Sequence, residues 1–172
     1  GRVALDVGSS TGGLTDCLLQ RGAAKVYAVD VGTNQLAWKL RTDPRVVAME
    51  QTNIRDVTRA EIPDPIDLIV CDASFVGLRL VLPAALALAA PGAHLAALIK
   101  PQLEVGKGRV GKGGIVREPQ LHAEVVATIS SWLAEQEGWQ VLGVTESPIT
   151  GAEGNKEFLI AAQLSATHPT SS

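Results

Sequence analysis

The sequence predicts an α/β fold with a mostly parallel, doubly wound sheet that ends in an antiparallel hairpin. Two observations carry this prediction. Short, continuous apolar runs alternate with segments of helical periodicity along most of the chain, as in parallel sheets that are covered on both faces. The last two apolar runs have no helical segment between them, so they are expected to pair as a hairpin in which one strand is antiparallel.

The composition of the 172 residues is that of one globular domain. Hydrophobic residues make up 46% and charged residues 19%, which excludes disorder for most of the chain. The net charge of -3 excludes a generally basic protein that coats nucleic acid, but it leaves room for a local basic patch. The two cysteines, Cys17 and Cys71, match no metal-binding spacing and are too few for a disulfide framework, which indicates a reducing, cytoplasmic setting.

Five of the apolar runs are predicted to be the parallel strands. In chain order they are Val3–Val7, Lys25–Asp30, Val46–Met49, Ile66–Cys71 and Leu95–Ile99. The two runs predicted to form the hairpin are Gln140–Thr145 and Glu157–Leu164. Residues 1–164 are therefore expected to form one domain, and residues 165–172 are expected to be a disordered tail.

Helices are predicted between these strands. The first three are Gly12–Gln20, Asn34–Leu40 and Leu78–Ala89. A longer helix is predicted over Pro119–Glu137, since proline is favoured in the first turn of a helix. Its apolar residues recur at helical spacing, at Leu121, Val125, Ile129 and Leu133.

Leu80–Ile99 is a stretch of twenty residues without Lys, Arg, Asp or Glu. Its length alone would suit a transmembrane helix. However, Pro83, the pair Pro91-Gly92 and His94 interrupt it, and a Pro-Gly pair is typical of a turn. A helix, a turn at Pro91-Gly92 and a buried strand are therefore predicted, and no stable membrane insertion is expected.

A glycine-rich turn, Asp6-Val-Gly-Ser-Ser-Thr-Gly-Gly13, joins the first predicted strand to the first helix. Glycines let the backbone pass close to a ligand, and a helix N-terminus offers free N–H groups. The spacing is not G-x-G-x-x-G and lacks the lysine of a phosphate-binding loop, which disfavours NAD and ATP. The candidate ligand-binding residues are Asp6, Gly8, Ser10, Thr11, Gly12 and Gly13. Asp6 suits a ligand with a cationic end, and the alternative is a plain turn capped by Thr11.

Two further positions support a ligand that contains adenosine. Asp30 ends the second predicted strand, where an acid in doubly wound folds binds ribose hydroxyls. The alternative for Asp30 is a solvated side chain in the turn that ends at Gly32. Asn53 and Ile54 follow the third strand, where an adenine edge could be read, and the alternative there is an N-cap of a short helix.

Four segments in this order resemble the TlyA family: Asp6–Gly13, Asp72–Phe75, Leu98–Gly106 and Gly154–Leu159. This is the hemolysin-named branch of the FtsJ-like, S-adenosylmethionine-dependent RNA ribose 2′-O-methyltransferases. The resemblance covers about residues 2–164. It implies a Rossmann-like class I methyltransferase fold, S-adenosylmethionine as the cofactor, and ribosomal RNA or ribosomal subunits as the partner.

The resemblance also implies a catalytic set of Lys-Asp-Lys-Glu, of which Asp72, Lys100 and Glu157 match the last three positions. Asp72 is expected to lie beside the cofactor as well. A neutral Lys100 would take the proton of the acceptor hydroxyl. The family's first lysine and its S4-type RNA-binding domain would precede Gly1, so an upstream segment is expected. Without both, this chain is expected to fold but to have little activity on ribosomal RNA.

Each matched residue has a structural alternative. Asp72 could cap the following helix, Lys100 could be a surface lysine beyond its strand, and Glu157 could pair with Lys156 or an arginine on the surface. Their positions favour the site, because ligands of such sheets bind at the carboxyl ends of parallel strands. Glu157 opens an antiparallel strand, so it is expected to meet the same edge.

The segment from Lys100 to Glu118 carries five of the chain's fifteen cations against two acids. Lys107, Arg109 and Lys112 are the candidates for contacts with RNA phosphates, and the alternative is an ordinary flexible loop. Three other functions stay open at this point: methylation of another acceptor, a catalytically silent S-adenosylmethionine-binding module, and a pore-forming hemolysin.

Overall fold

Seven strands form one sheet in the computed structural model, which describes residues 2–9, 12–32, 36–72, 78–100, 119–146 and 157–166, with the side chains of 119 and 121 excluded. The strands are β1 (Val3–Val7), β2 (Lys25–Val29), β3 (Val46–Met49), β4 (Ile66–Cys71), β5 (Ala89–Ile99), β6 (Trp139–Glu146) and β7 (Phe158–Leu164). Their order across the sheet is β3-β2-β1-β4-β5-β7-β6. The first five strands are parallel, and β7 is antiparallel to both β5 and β6, which confirms the predicted sheet and its hairpin.

The described helices are α1 (Gly13–Gln20), α2 (Trp38–Arg41), α3 (Leu78–Leu86), α4 (Pro119–Ala134) and a 3-10 helix (Ile54–Asp56). Three of the four predicted helices agree with these to within a few residues at their ends. The prediction of a helix over Asn34–Leu40 is wrong in its bounds, because α2 has only four residues and begins at Trp38. Residues 33–35 lie outside the described part of the chain.

The predicted turn at Pro91-Gly92 is wrong, since both residues lie inside β5. The register between β4 and β5 shifts here: Ile66 pairs with Ala89, but Leu68 pairs with His94. Gly92 takes a φ of 84°, which lets the chain bend within the strand. Proline, which has no N–H for the ladder, is tolerated at such an irregularity. No helix in the described residues is long and apolar enough to span a bilayer.

Both faces of the sheet carry packed apolar side chains. On one face, Val125, Ile129 and Leu133 of α4 are buried against the strands, as their helical spacing predicts. On the other face, Leu19 of α1 and Leu40 of α2 belong to a second buried cluster with strand residues of β1, β2 and β3. The helices therefore cover both faces of the parallel sheet, and this packing fixes the positions of the turns at the strand ends.

The two cysteines are free thiols. Cys17 is exposed on α1, and Cys71 is buried at the end of β4. This agrees with the sequence-based expectation that neither takes part in a disulfide framework.

Candidate active site

The register of the sheet brings the predicted catalytic residues to one edge, at the carboxyl ends of the parallel strands. The backbone amide of Asp72 donates a hydrogen bond to the carbonyl oxygen of Val7 at 3.0 Å, so Asp72 lies beside the glycine-rich turn. Ile99 pairs with Phe158 across β5 and β7. Lys100 and Glu157, one residue beyond this pair, therefore lie opposite each other.

These residues also share one face of the sheet. Asp6 pairs with Val70, and Val70 pairs with Ala96 in the neighbouring strand. Side chains two or four positions along a strand return to the same face, which places Asp72 and Lys100 on the face of Asp6. Ala161 pairs with Ala96, and Glu157 lies four residues before Ala161, which places Glu157 on the face of Asp6 as well.

Lys100 forms an ion pair with Asp72, with Nζ and Oδ1 2.6 Å apart. The contact lacks the angles of a hydrogen bond, so its attraction is that of two charges in close contact. Lys100 is 9% exposed, so the alternative of a surface lysine is wrong. The alternative that Asp72 caps the following helix involves residues 73–77, which lie outside the described part of the chain.

Glu157 is also buried, with 7% of its surface exposed. The alternative that it pairs on the surface is therefore wrong. Next to it, the ring of Phe158 meets the ring of His122 edge to face, with centroids 5.7 Å apart. Sequence analysis missed the buried His122, although its position three residues before Val125 on the apolar face of α4 was a signal.

Asp6 is fully buried, and one of its carboxylate oxygens accepts a hydrogen bond from Thr15. The hydroxyl of Thr15 donates to Asp6 Oδ2 at 2.6 Å, whereas Oδ1 has no hydrogen-bond partner in the described structure. Burial raises the pKa of Asp6 from 3.8 to about 6. The Thr15 hydrogen bond lowers this pKa, and the negative charges of Asp72 and Asp30 raise it.

The raised pKa of Asp6 predicts a pH dependence of folding stability. A carboxyl with a raised pKa in the folded state contributes stability that is full below 3.8 and is lost as the pH rises through about 6. The contribution is about 3 kcal/mol, from about 1.4 kcal/mol for each pKa unit. Urea unfolding from pH 4 to pH 8 should therefore show a stability loss in the parent that Asp6→Asn lacks. Parallel profiles for the two proteins would contradict the assignment.

The glycine-rich turn has the conformation that only glycine adopts readily. Gly8 has a φ of 81° and Gly12 a φ of 100°. A Cβ on Gly12 would also lie 2.3 Å from Leu40 Cδ1 and 2.7 Å from Leu36 Cδ1. Gly12 occupies the N-cap position of α1, so the alternative that Thr11 caps this helix is wrong. Ser10 and Thr11 themselves lie outside the described residues.

Asp30 lies at the same edge, directly after β2. Its Oδ1 accepts the amide of Gly32 at 2.9 Å, and its own amide donates to the carbonyl oxygen of Met49 at 3.0 Å. The side chain therefore closes the turn at Gly32, whereas the structural alternative expected a solvated side chain in this turn. It also brings a carboxylate close enough for its negative charge to act on Asp6, as that of Asp72 does.

Two other predicted ligand contacts, Asn53 and Ile54, have structural roles in the described residues. The side chain of Asn53 accepts the amide of Arg55 at 3.0 Å, so Asn53 caps the 3-10 helix as the alternative stated. Ile54 is 4% exposed and packs in the core, which leaves its backbone for any contact with a ligand. The predicted RNA contacts Lys107, Arg109 and Lys112 fall outside the described part of the chain.

Residues 1–164 match the family described as FtsJ-like methyltransferase. The chain belongs to this family. It is 51% identical over 160 residues to the 16S/23S rRNA (cytidine-2'-O)-methyltransferase TlyA of Mycobacterium tuberculosis, which covers 93% of this chain and 59% of that protein. It is 43% identical over 159 residues to Hemolysin A of Brachyspira hyodysenteriae, which covers 92% of this chain and 66% of that protein.

Solved structures agree with this membership. A Lactococcus lactis protein that bears the hemolysin name is 46% identical, with a TM-score of 0.91, over 96% of this chain and 79% of that one. A Pyrococcus horikoshii structure titled as an RNA methyltransferase is 16% identical with a TM-score of 0.70, and this likeness shows the fold alone. The FtsJ-like chain thus has the class I methyltransferase fold, and it spans 59% of the length of the Mycobacterium relative.

Membership of the FtsJ-like family implies S-adenosylmethionine as the cofactor, and the described residues fit this ligand. Its sulfonium and amino groups are positive, and the edge carries three carboxylates, Asp6, Asp30 and Asp72. The buried Asp6 Oδ1 has no donor of its own in the described structure. Gly8 and Gly12, which take a positive φ, have no side chains that would keep a ligand away from the backbone at these two positions.

Proposed function

We propose that this chain is the catalytic domain of an S-adenosylmethionine-dependent methyltransferase that acts on a ribose 2′-hydroxyl of ribosomal RNA. One observation carries the proposal: the buried Lys100–Asp72 ion pair lies at the carboxyl edge of the sheet, with Glu157 opposite Lys100. The acceptor class comes from the name of the 51% identical relative, which specifies cytidine 2'-O-methylation.

The glycine-rich turn and the three carboxylates would hold the cofactor. S-adenosylmethionine, when bound, supplies an electrophilic methyl group on a positively charged sulfur. Asp30 would bind the ribose hydroxyls, and Asp6 and Asp72 would favour the positive end of the ligand. Gly8 and Gly12 would let the backbone pass against the ligand without steric conflict.

The buried polar residues beyond the turn would handle the acceptor. The ribose hydroxyl must be aligned with the methyl group, and its proton must leave as the new carbon–oxygen bond forms. We assign proton acceptance to Lys100 Nζ, which must be neutral at that moment. Asp72 and Glu157 would orient Lys100 and the acceptor, and a positive ligand beside Asp72 would weaken the hold of this carboxylate on Lys100.

The RNA partner would be bound mainly through phosphates. Lys107, Arg109 and Lys112, which follow β5 in sequence, are the residues to which we assign contacts with RNA phosphates. An S4-type RNA-binding domain, expected before Gly1, would add further contacts in cis. With a net charge of -3, this chain by itself is expected to bind RNA weakly.

Replacing Asp30 with alanine is expected to lower the affinity for S-adenosylmethionine about ten- to hundredfold. Charge-assisted hydrogen bonds of this kind contribute about 1.5–3 kcal/mol. Asp30→Asn retains the acceptor for the Gly32 amide and so separates the ligand contact from the turn. Asp43→Ala, which removes a carboxylate just before β3 at the opposite edge, is the matched control. Calorimetry that shows unchanged affinity in folded Asp30→Ala would sink the assignment.

The proposal is tested by incubating the full-length protein with ribosomal subunits and methyl-labelled S-adenosylmethionine. Label should enter the RNA fraction and not the protein fraction. Cofactor binding without any transfer would instead indicate a silent binding module, and label in protein would indicate another acceptor. The hemolysin name of some relatives is tested separately by leakage of dye from liposomes, which the proposal expects to be absent.

A further inference from the structure

Thr15 is the buried polar residue of α1, and the proposed mechanism does not use it. It is the third residue of the helix and has 0% of its surface exposed. Threonine has a modest helix propensity, and a buried hydroxyl needs a hydrogen-bond partner. Its partner is Asp6 Oδ2 at 2.6 Å, in the preceding strand.

This hydrogen bond fixes one oxygen of a carboxylate that is buried beneath the glycine-rich turn. Charge-assisted hydrogen bonds of this length are strong and directional. With Oδ2 held, rotation of the carboxylate is restricted, and Oδ1 is the oxygen that lacks a partner in the described residues. The charged groups that act on Asp6 are Asp72 and Asp30, and both oppose its ionisation. Thr15 supplies the hydrogen bonds that favour the ionised form.

We propose that Thr15 is a positioning residue of the cofactor site: its hydroxyl orients the Asp6 carboxylate and holds it in the charged form that a positively charged ligand requires. This inference rests on the proposed function in one respect, namely that S-adenosylmethionine is the ligand. Thr15 acts through Asp6 and does not itself touch the ligand.

The test compares Thr15→Val, which removes the hydroxyl at nearly constant volume, with Thr15→Ser, which retains it. Calorimetry with S-adenosylmethionine at pH 7.5 should show a ten- to hundredfold loss of affinity for Thr15→Val and near-parental affinity for Thr15→Ser. The pH below which affinity falls should move upward in Thr15→Val only. In an Asp6→Asn background, Thr15→Val should cause no further loss. Thr15→Ala takes the place of Thr15→Val if the latter does not fold.

A second readout uses neither ligand nor RNA. The stability loss of the ligand-free protein, which is complete near pH 6 in the parent, should extend to higher pH in Thr15→Val and keep its parental range in Thr15→Ser. Parental affinity in Thr15→Val, failure of Thr15→Ser to restore it, or an unmoved stability profile would overturn the inference. If the parent binds S-adenosylmethionine but transfers nothing to RNA, the proposed function fails while the role of Thr15 stands. If the parent binds no S-adenosylmethionine, the proposed ligand is wrong, and the role of Thr15 at this site is overturned with it.

Discussion

Lys100→Met in the full-length protein is expected to abolish methyl transfer while leaving the affinity for S-adenosylmethionine within a few-fold of the parent. The substitution removes the amine that is 2.6 Å from Asp72 and keeps most of the buried stem volume. A lost general base lowers rates by about 10²–10⁴-fold. Single-turnover transfer to ribosomal subunits measures the rate, and calorimetry measures cofactor binding.

The matched control for this variant is Lys39→Met. Lys39 is an exposed lysine on α2 whose Nζ lies 3.7 Å from Asp16, so its removal tests the loss of a positive charge away from the reacting edge. It should leave the transfer rate unchanged. If Lys100→Met also kept most of its rate, Lys100 would be structural, and alignment of the acceptor alone would carry catalysis.

Gly12→Ala is expected to have the second largest effect, on both stability and cofactor binding. An L-residue at the φ of 100° is strained by roughly 1–2 kcal/mol, and the new Cβ would lie 2.3 Å from Leu40 Cδ1. Overpacking of this kind costs about 1–3 kcal/mol, so urea unfolding should show a total loss of about 2–5 kcal/mol. Both contacted atoms, Cδ1 of Leu40 and Cδ1 of Leu36, are side-chain methyl carbons of buried leucines, so these leucines must repack while the strained φ distorts the turn. The affinity for S-adenosylmethionine should therefore fall by more than tenfold.

Gly13→Ala provides the control for this prediction. A Cβ on Gly13 would meet nothing within 4 Å, and the residue is the first of α1. Alanine there should leave stability unchanged or raise it by up to about 1 kcal/mol, because glycine is the poorer helix former. Equal losses in both variants would show that the geometry of Gly12 is not what the turn requires.

Most of the sheet could be predicted from the sequence because parallel strands buried on both faces give continuous apolar runs. The errors lie where tertiary contacts override local signals. Pro91-Gly92 is a turn signal, yet the pairing of β5 with β4 continues around it through a register shift. The predicted helix Asn34–Leu40 was wrong in its bounds because its spacing counted both Leu36 and Leu40 as residues of one helical face. Both leucines pack against Gly12, but only Leu40 lies within α2.

The part of the candidate site that lies at strand ends could be predicted, because the apolar runs show where the strands end. Asp72 and Lys100 follow apolar runs, and parallel strands bring such positions together at one edge. The burial of Lys100 and Glu157 is set by the register of the hairpin, which apolar periodicity does not reveal. Thr15 and His122 were missed because each is defined by a partner on another element, Asp6 and Phe158 respectively.

The most direct test of the account is nucleoside mass spectrometry of ribosomal RNA after incubation of unmethylated subunits with S-adenosylmethionine and the full-length protein. The account predicts one new 2′-O-methylated nucleoside, its methyl group on the ribose, and its absence when Lys100→Met replaces the parent. A methyl group on a base, or the same ribose methylation from Lys100→Met, would contradict the assignment of this edge of the sheet as a ribose-methylating site.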